Sequence, residues 1–209
     1  MYKLAEYLGE KLGTALQYDQ EQKDVITYGL LAIIQFVVVM AIILVFSSLL
    51  GTVFASLILS FSVSALRVHA GGAHLSSIWI CSLTGVAISV LVPTVFALFG
   101  VQNLSSNFIF ILTNVILFLA LWIMMVKAPV DSPNKPITNP EKMKKLKRKS
   151  VIVVLIYFVI GNFFAYRQWN VFLFCLLFGV TWQSFTMLKI GHAFLGFFER
   201  VISKDHIEE

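Results

Sequence analysis

The sequence predicts an all-α integral membrane protein with six transmembrane helices, an N-terminal amphipathic surface helix and both termini in the cytosol. Three observations carry that expectation. The chain is 58% hydrophobic and only 13% charged, where a soluble domain carries about 25% charged residues. Its mean hydropathy is +0.86, and side chains this apolar exceed what one small core can bury, so lipid has to cover the rest. The apolar residues also come in six stretches of bilayer length, and the basic residues fall almost wholly on one side of them.

Residues 1–24 open the chain with Leu4, Leu8, Leu12 and Leu16 recurring every four positions, and Lys3, Glu6, Glu10 and Lys11 between them. That period predicts an amphipathic helix lying on the membrane surface, without the apolar core of a signal peptide. A crossing takes roughly 17–25 apolar residues, and the candidate spans are 25–46, 49–66, 76–98, 108–126, 151–166 and 171–188. Only Ser47, Ser48 and Gly51 separate the first two, which predicts a tight turn. Gly161 and Asn162 interrupt the fifth. Residues 100–107 and the Pro-rich 129–140 read as loops. The chain is expected to form one membrane domain, 1–209: the interfacial helix 1–24, six spans within 25–188, a basic cytosolic loop at 127–150 and a cytosolic tail at 189–209.

Orientation follows from Lys and Arg, which concentrate on the cytosolic side of membrane proteins. With six spans and a cytosolic N-terminus, the cytosolic pieces collect 15 of the 16 basic residues and leave Arg167 alone outside. Adding or removing a span would push a basic group outward. The same count puts the connection between spans two and three, 67–73, at the cytosolic face.

Between Asp24 and Asp131 there is no Asp or Glu. An intramembrane aspartyl protease needs two carboxylates on its spans, so that class is excluded. H-E-x-x-H, G-x-S-x-G, Walker A and G-x-G-x-x-G patterns are absent as well, which argues against zinc proteases, serine hydrolases and ATP-driven transport. Cys81 and Cys175 fall inside apolar segments, so no disulfide framework is expected. No cofactor, metal or nucleic-acid partner is expected either.

The chemistry concentrates in residues 67–81, which hold every Arg, Lys and His between Asp24 and Lys127. Ionisable groups at membrane depth are costly and point to function. A His and a Cys together make a minimal nucleophilic pair, in which imidazole takes the thiol proton and the thiolate attacks a carbonyl. His74 and Cys81 are the candidate pair, with His69 as a rival base that needs a larger fold-back. Gly71 and Gly72 allow a sharp turn and could offer N–H groups to an oxyanion. Arg67 could stabilise the thiolate, hold substrate carboxylates or anchor the span. A third catalytic member is left open. Cys175 reads as a packed hydrophobe, and His192 and His206 as ordinary hydrogen-bonded side chains. The spacing makes one geometric demand. On a single straight helix His74 and Cys81 would be about 10 Å apart in rise, so His74 has to leave the helix that carries Cys81.

The pattern Arg67-x3-Gly71-Gly72-x-His74-x6-Cys81 is followed by Ala128-Pro129-Val-Asp131-x2-Asn134-Lys135-Pro136. Together they resemble the accessory gene regulator B family, the integral membrane cysteine endopeptidases of Gram-positive quorum sensing. The resemblance covers nearly the whole chain. It implies that Cys81 is the nucleophile and His74 the general base, with Arg67 and Gly72 at further motif positions. It also implies the substrate: a small propeptide with an amphipathic leader, a signal core containing Cys or Ser, and an acidic C-terminal tail. The tail is cut off through an acyl-enzyme thioester, and the core closes to a thiolactone or lactone. A homodimer is implied too.

Residues 141–149 carry six positive charges, Lys142, Lys144, Lys145, Lys147, Arg148 and Lys149, beside Glu141. Such a run holds a loop in the cytosol and touches anionic lipid; it also suits attraction of an acidic peptide tail. The alternative from another functional class is a peptide exporter or permease without catalytic activity, which six spans would equally suit. Against it stands the lack of intramembrane charges along a coupled pathway.

Overall fold

The computed structural model describes residues 2–73, 77–101, 104–130 and 139–204, with eight helices among them. These are α1 (Tyr2–Ala15), α2 (Gln20–Leu49), α3 (Val53–Ala70), α4 (Ile78–Leu98), α5 (Ser106–Lys127), α6 (Pro140–Tyr166), α7 (Asn170–Thr186) and α8 (Lys189–Lys204). Each predicted span coincides with a helix from α2 to α7. Five helices are long and apolar enough to cross a membrane, and α7 with α8, bent by 87° at a short break, makes up to six. Helix α7 alone has 17 residues, about 25 Å at 1.5 Å per residue. That falls just short of a hydrocarbon core of about 30 Å.

The predicted N-terminal helix forms, but its leucine stripe is not the face it buries. Ala5, Gly9 and Gly13 are buried, and their small side chains let α1 lie close against the start of α2. Leu4, Leu12 and Leu16 remain exposed. Lys23 on α2 pairs with Glu10 on α1 at 2.9 Å. Asp19 caps α2 in a capping box with Gln22, satisfying N–H groups that the helix cannot. Helix α2 then runs 30 residues with only Ile43 and Ser47 buried, so nearly its whole surface is available to lipid.

The core lies between α3, α5, α6 and α7, around Leu66, Leu117, Met124, Val154, Leu173 and Val180. Small residues on α3, Ala55, Ser56, Ser60 and Ser62, are buried, and Gly179 of α7 meets Ser62 with no space for a side chain. Close backbone approach over small residues is how helices associate where lipid is the solvent. Tyr157 of α6 donates to the Ser62 carbonyl of α3 at 3.0 Å. Asn162, which looked like an interruption of the fifth span, receives a hydrogen bond from Asn114 of α5 at 3.1 Å.

Three boundaries differ from the sequence expectation. The second span starts at Val53 rather than 49, because α2 continues through Leu49 and the chain turns at 50–52. The segment read as a basic loop is helical from Pro140 onward: Asn139 accepts from the N–H groups of Glu141 and Lys142, and Pro140 occupies the first turn. Lys, Arg and Glu are good helix formers, so the basic stretch joins the fifth span in one 27-residue helix. The tail contains α8, whose Ile190, Phe194 and Phe197 are exposed on one face.

Candidate functional site

Helix α3 ends at a glycine pair. The Gly71 N–H closes the last turn onto the Arg67 carbonyl at 3.0 Å. Gly71 then takes φ +70° and Gly72 φ +129°, angles that L side chains rarely adopt. The chain leaves the helix there and is fastened on three sides. The Val130 N–H donates to the Ala70 carbonyl at 2.8 Å, within a bridge between Gly71 and Val130. From α7, Gln183 Nε2 donates to the Gly71 carbonyl at 2.6 Å. The Ala73 N–H donates to the Thr186 carbonyl at 2.9 Å.

Arg67 adds the fourth staple from inside. Its Nη2 donates to the Ala73 carbonyl at 2.8 Å, so the guanidinium spans the turn that it precedes. A charged donor makes the stronger class of hydrogen bond. The amides of the turn are mostly committed: those of Gly71 and Ala73 donate within the fold, and only that of Gly72 has no acceptor among the described residues. The expected oxyanion donors at Gly71–Gly72 therefore narrow to one.

Helix α4 starts at Ile78 with Ser77 as its cap, and Cys81 sits in its first turn, half-buried. Cys81 packs with Ile80, with Ala73 of the turn and with Leu195 of α8. Arg67, Ala73 and Cys81 line one cavity of about 170 Å³ between α2, α3 and α4, with Trp182 and Thr186 of α7 and Leu195 of α8 also in its wall. The structure thus brings together four of the residues the sequence singled out: Arg67, Gly71, Gly72 and Cys81. His74, on which the fold-back expectation falls, lies outside the described residues, as do Asp131, Asn134, Lys135, Pro136 and His206. What is described on either side of His74 is the end of α3 at Ala70 and the start of α4 at Ile78.

His69 is absent from the cavity wall. It lies on α3 near the positive charge of Lys149 on α6, which counts against it as the partner of Cys81. Cys175 is fully buried beside Ala55 and Leu59, a packed hydrophobe as expected. His192 is exposed on α8. The basic residues Lys142, Lys144, Lys145, Lys147, Arg148 and Lys149 are all exposed and encircle the first turns of α6. Because Tyr157 faces Ser62 and Lys149 faces His69, α6 runs antiparallel to α3. The basic turns therefore stand at the same end of the bundle as the glycine turn.

Sequence reasoning missed Gln183, Thr186 and Leu195. Gln183 alone carried a signal, a fully polar side chain inside an apolar span; it is completely buried. Among the described residues, no group of three or more His, Cys, Asp or Glu is placed to hold a metal ion.

The family model for accessory gene regulator B matches residues 1–187. A putative AgrB-like protein 2 of Clostridium perfringens is 30% identical over 199 residues, covering 92% of this chain and 93% of the relative. The accessory gene regulator protein B of Staphylococcus intermedius is 28% identical over 185 residues, covering 88% and 84%. A putative AgrB-like protein of Listeria innocua is 34% identical over 149 residues, covering 66% and 64%. No solved structure matches. With its apolar helices and a family match over nearly its full length, the chain is a multi-pass membrane protein that belongs to the accessory gene regulator B family.

Proposed function

We propose that the protein is a membrane cysteine endopeptidase that trims a signal propeptide at the cytosolic face and closes its core into a ring. The observation that carries this reading is the position of Cys81: half-buried at the end of a cavity, opposite a turn that Arg67, Gln183, Thr186 and Val130 hold in place. That turn leads directly into His74. A rigid approach to the general base is what nucleophilic catalysis demands, since misplacement by about 1 Å can cost on the order of 10²-fold.

In the proposed reaction His74 takes the Cys81 thiol proton, and the sulfur bonds to the carbonyl carbon of the scissile peptide. Collapse of the tetrahedral adduct breaks the C–N bond, and His74 returns the proton to the departing amine. The acyl group is left on Cys81 as a thioester. A Cys thiol or Ser hydroxyl of the core then attacks that carbonyl, forms the ring ester, and restores the Cys81 thiol. The Gly72 N–H is the turn's candidate donor to the oxyanion. Arg67 acts as a positioning residue through the Ala73 carbonyl. The exposed basic turns of α6 attract the acidic tail of the propeptide, and its amphipathic leader lies in the interface.

Co-expression with the propeptide tests the reading. Cys81→Ser and Cys81→Ala abolish release of the tail, His74→Ala does likewise, and Cys175→Ala leaves it intact. Tail release that survives Cys81→Ala would overturn the assignment and favour the alternative, a peptide exporter without catalytic activity.

A further inference from the structure

The family match ends at residue 187, and α8 follows from Lys189. Helix α7 runs beside α3 in the same direction, since Gly179 meets Ser62 and Gln183 meets Gly71. With α3 crossing the bilayer, α7 reaches the end of the bundle that carries the glycine turn. There the chain bends by 87° into α8, which therefore lies across that end, close to the membrane plane. The corner is firmly packed. The Leu188 N–H donates to the Phe185 carbonyl at 3.0 Å, and the His192 N–H to the Leu188 carbonyl at 3.1 Å. A Cβ on Gly191 would run into the Phe185 carbonyl. The rings of Phe185 and Phe194 meet edge-on with centroids 5.8 Å apart.

Around α8, at 3.6 residues per turn, three arcs separate. Gly191 and Leu195 are buried on the protein, with Leu195 packed on Ala73, Ile80 and Cys81. Beside them Ile190, Phe194 and Phe197 share an arc of about 60° and are 72%, 49% and 67% exposed. Lys189, His192 and Arg200 occupy an arc of about 80° on the far side, and all three are exposed. An apolar stripe next to a basic one, on a helix parallel to the bilayer, is the pattern of a helix seated at a lipid surface. Such a helix sinks about 5–10 Å into the boundary between headgroups and acyl chains. Its cations then meet the headgroup phosphates.

We propose that α8 is a lipid-seated latch: the bilayer surface holds Ile190, Phe194 and Phe197, and that seat keeps Leu195 closed over Cys81. The excess of Lys and Arg assigns this end of the bundle to the cytosol, so the partner is the phospholipid surface of the cytosolic leaflet. The protein alone gives α8 a narrow hold, because only Gly191 and Leu195 are buried among its described residues. Lipid supplies the second hold, along a stripe that water would otherwise cover at a cost. Access to the thiol from that side is then set by the membrane, whatever chemistry Cys81 performs.

The test uses the full-length protein in nanodiscs of phosphatidylcholine and phosphatidylglycerol in equal parts. A diazirine probe confined to the acyl chains is photolysed, and the labelled residues are mapped by peptide mass spectrometry. Label is expected on Ile190, Phe194 and Phe197 and not on Lys189 or His192. The rate of Cys81 alkylation by iodoacetamide is read on the same peptides. Taking a phenylalanine out of apolar surroundings changes an equilibrium by about tenfold or more. Phe194→Gln with Phe197→Gln is therefore expected to remove most of the α8 label and to speed Cys81 alkylation at least ~10-fold. Leu195→Ala takes away the cover but not the seat, so the Cys81 rate is expected to rise with the label in place. Leu4→Gln, at an exposed position of α1, is expected to change neither. Should the paired variant give no protein, Ile190→Gln takes its place, with both changes expected in the same direction. Label on every face of α8 would make it the second half of a broken span. Absence of label would put water, a second copy or a peptide against the stripe. Either result would overturn the seat, and label lost without faster alkylation would overturn the latch. Tail release by Cys81→Ala would overturn the nucleophile alone, since alkylation needs a thiol and not catalysis.

Discussion

Replacing Gly71 by alanine separates the cost of a strained backbone from the cost of losing a staple, because Gly51 supplies the comparison. The two have nearly the same φ, +70° and +68°. A Cβ on Gly51 would meet nothing within 4 Å, whereas one on Gly71 would run into the Val130 carbonyl. For Gly51→Ala the left-handed backbone costs about 1–2 kcal/mol, and a stiffer unfolded chain returns about 0.4–1 kcal/mol. The net loss is therefore about 1 kcal/mol. Gly71 pairs its φ with ψ −150°, a combination essentially confined to glycine and costing about 1–3 kcal/mol for other residues. The collision is with backbone, so no flexible side chain can yield. Relief requires opening the Val130-to-Ala70 hydrogen bond, and buried groups left unpaired cost about another 1–3 kcal/mol. Gly71→Ala should lose roughly 2–6 kcal/mol in all. Thermal unfolding in detergent, with tail release measured per folded molecule, reads both effects. Gly51→Ala should keep tail release within about twofold, and Gly71→Ala should lose at least ~10-fold as the turn shifts. Equal losses in the two variants would refute the view that Val130 and the turn are fitted to each other.

Gln183→Leu leaves the Gly71 carbonyl without its donor and should cost about 1–2 kcal/mol of stability, with a larger fractional loss in tail release than in folded yield. Changing Lys142, Lys144 and Lys145 to Gln keeps five basic residues in 127–149 to hold orientation. It should raise KM for the propeptide and flatten its salt dependence, which is otherwise steep because exposed charges are screened within about 10 Å at 0.1 M. At α1, the hydrogen bond from the Lys23 ammonium holds the Glu10 carboxyl below its ordinary 4.5. A depressed carboxylate stabilises the α1–α2 contact above its unfolded pKa and loses that contribution as pH falls through the lower folded value. Protection of the α1 amides, taken relative to their intrinsic exchange rates, should therefore fall below about pH 4.5, and Glu10→Gln should remove that fall.

Local signals made much of this fold legible. Apolar stretches of bilayer length gave α2 to α7, and the four-residue period of Leu4, Leu8, Leu12 and Leu16 gave α1. The basic segment reads as a loop by its charge, but not by its helix propensity. Asn139, Pro140 and Glu141 already spelled a helix start. In the site, residue type was enough for Arg67, Gly71, Gly72 and Cys81, since charge, glycine and thiol stand out in an apolar chain. The staples were not legible in the same way. Gln183 lies 112 residues from Gly71, and Val130 and Thr186 use backbone groups that any residue possesses. Pairings of that kind are set by how α3, α5 and α7 pack, which no local period encodes. The cavity on α2 was invisible for the same reason: Phe36, Met40 and Ile43 look like any other lipid-facing side chains until α4 is set beside them.

The distance in sequence between the turn and its staples also fixes an order of events during synthesis. Gly71, Gly72 and Cys81 leave the ribosome long before Gln183 and Thr186 exist. At about 5–20 residues per second, the 112-residue separation corresponds to roughly 6–22 seconds of translation. Throughout that interval the turn lacks both of its α7 fastenings. The thiol is thus born early and given its surroundings late, once α7 has joined α3. A chain truncated before α7 carries Arg67, Gly71, Gly72 and Cys81 in full and lacks the scaffold that holds them in register.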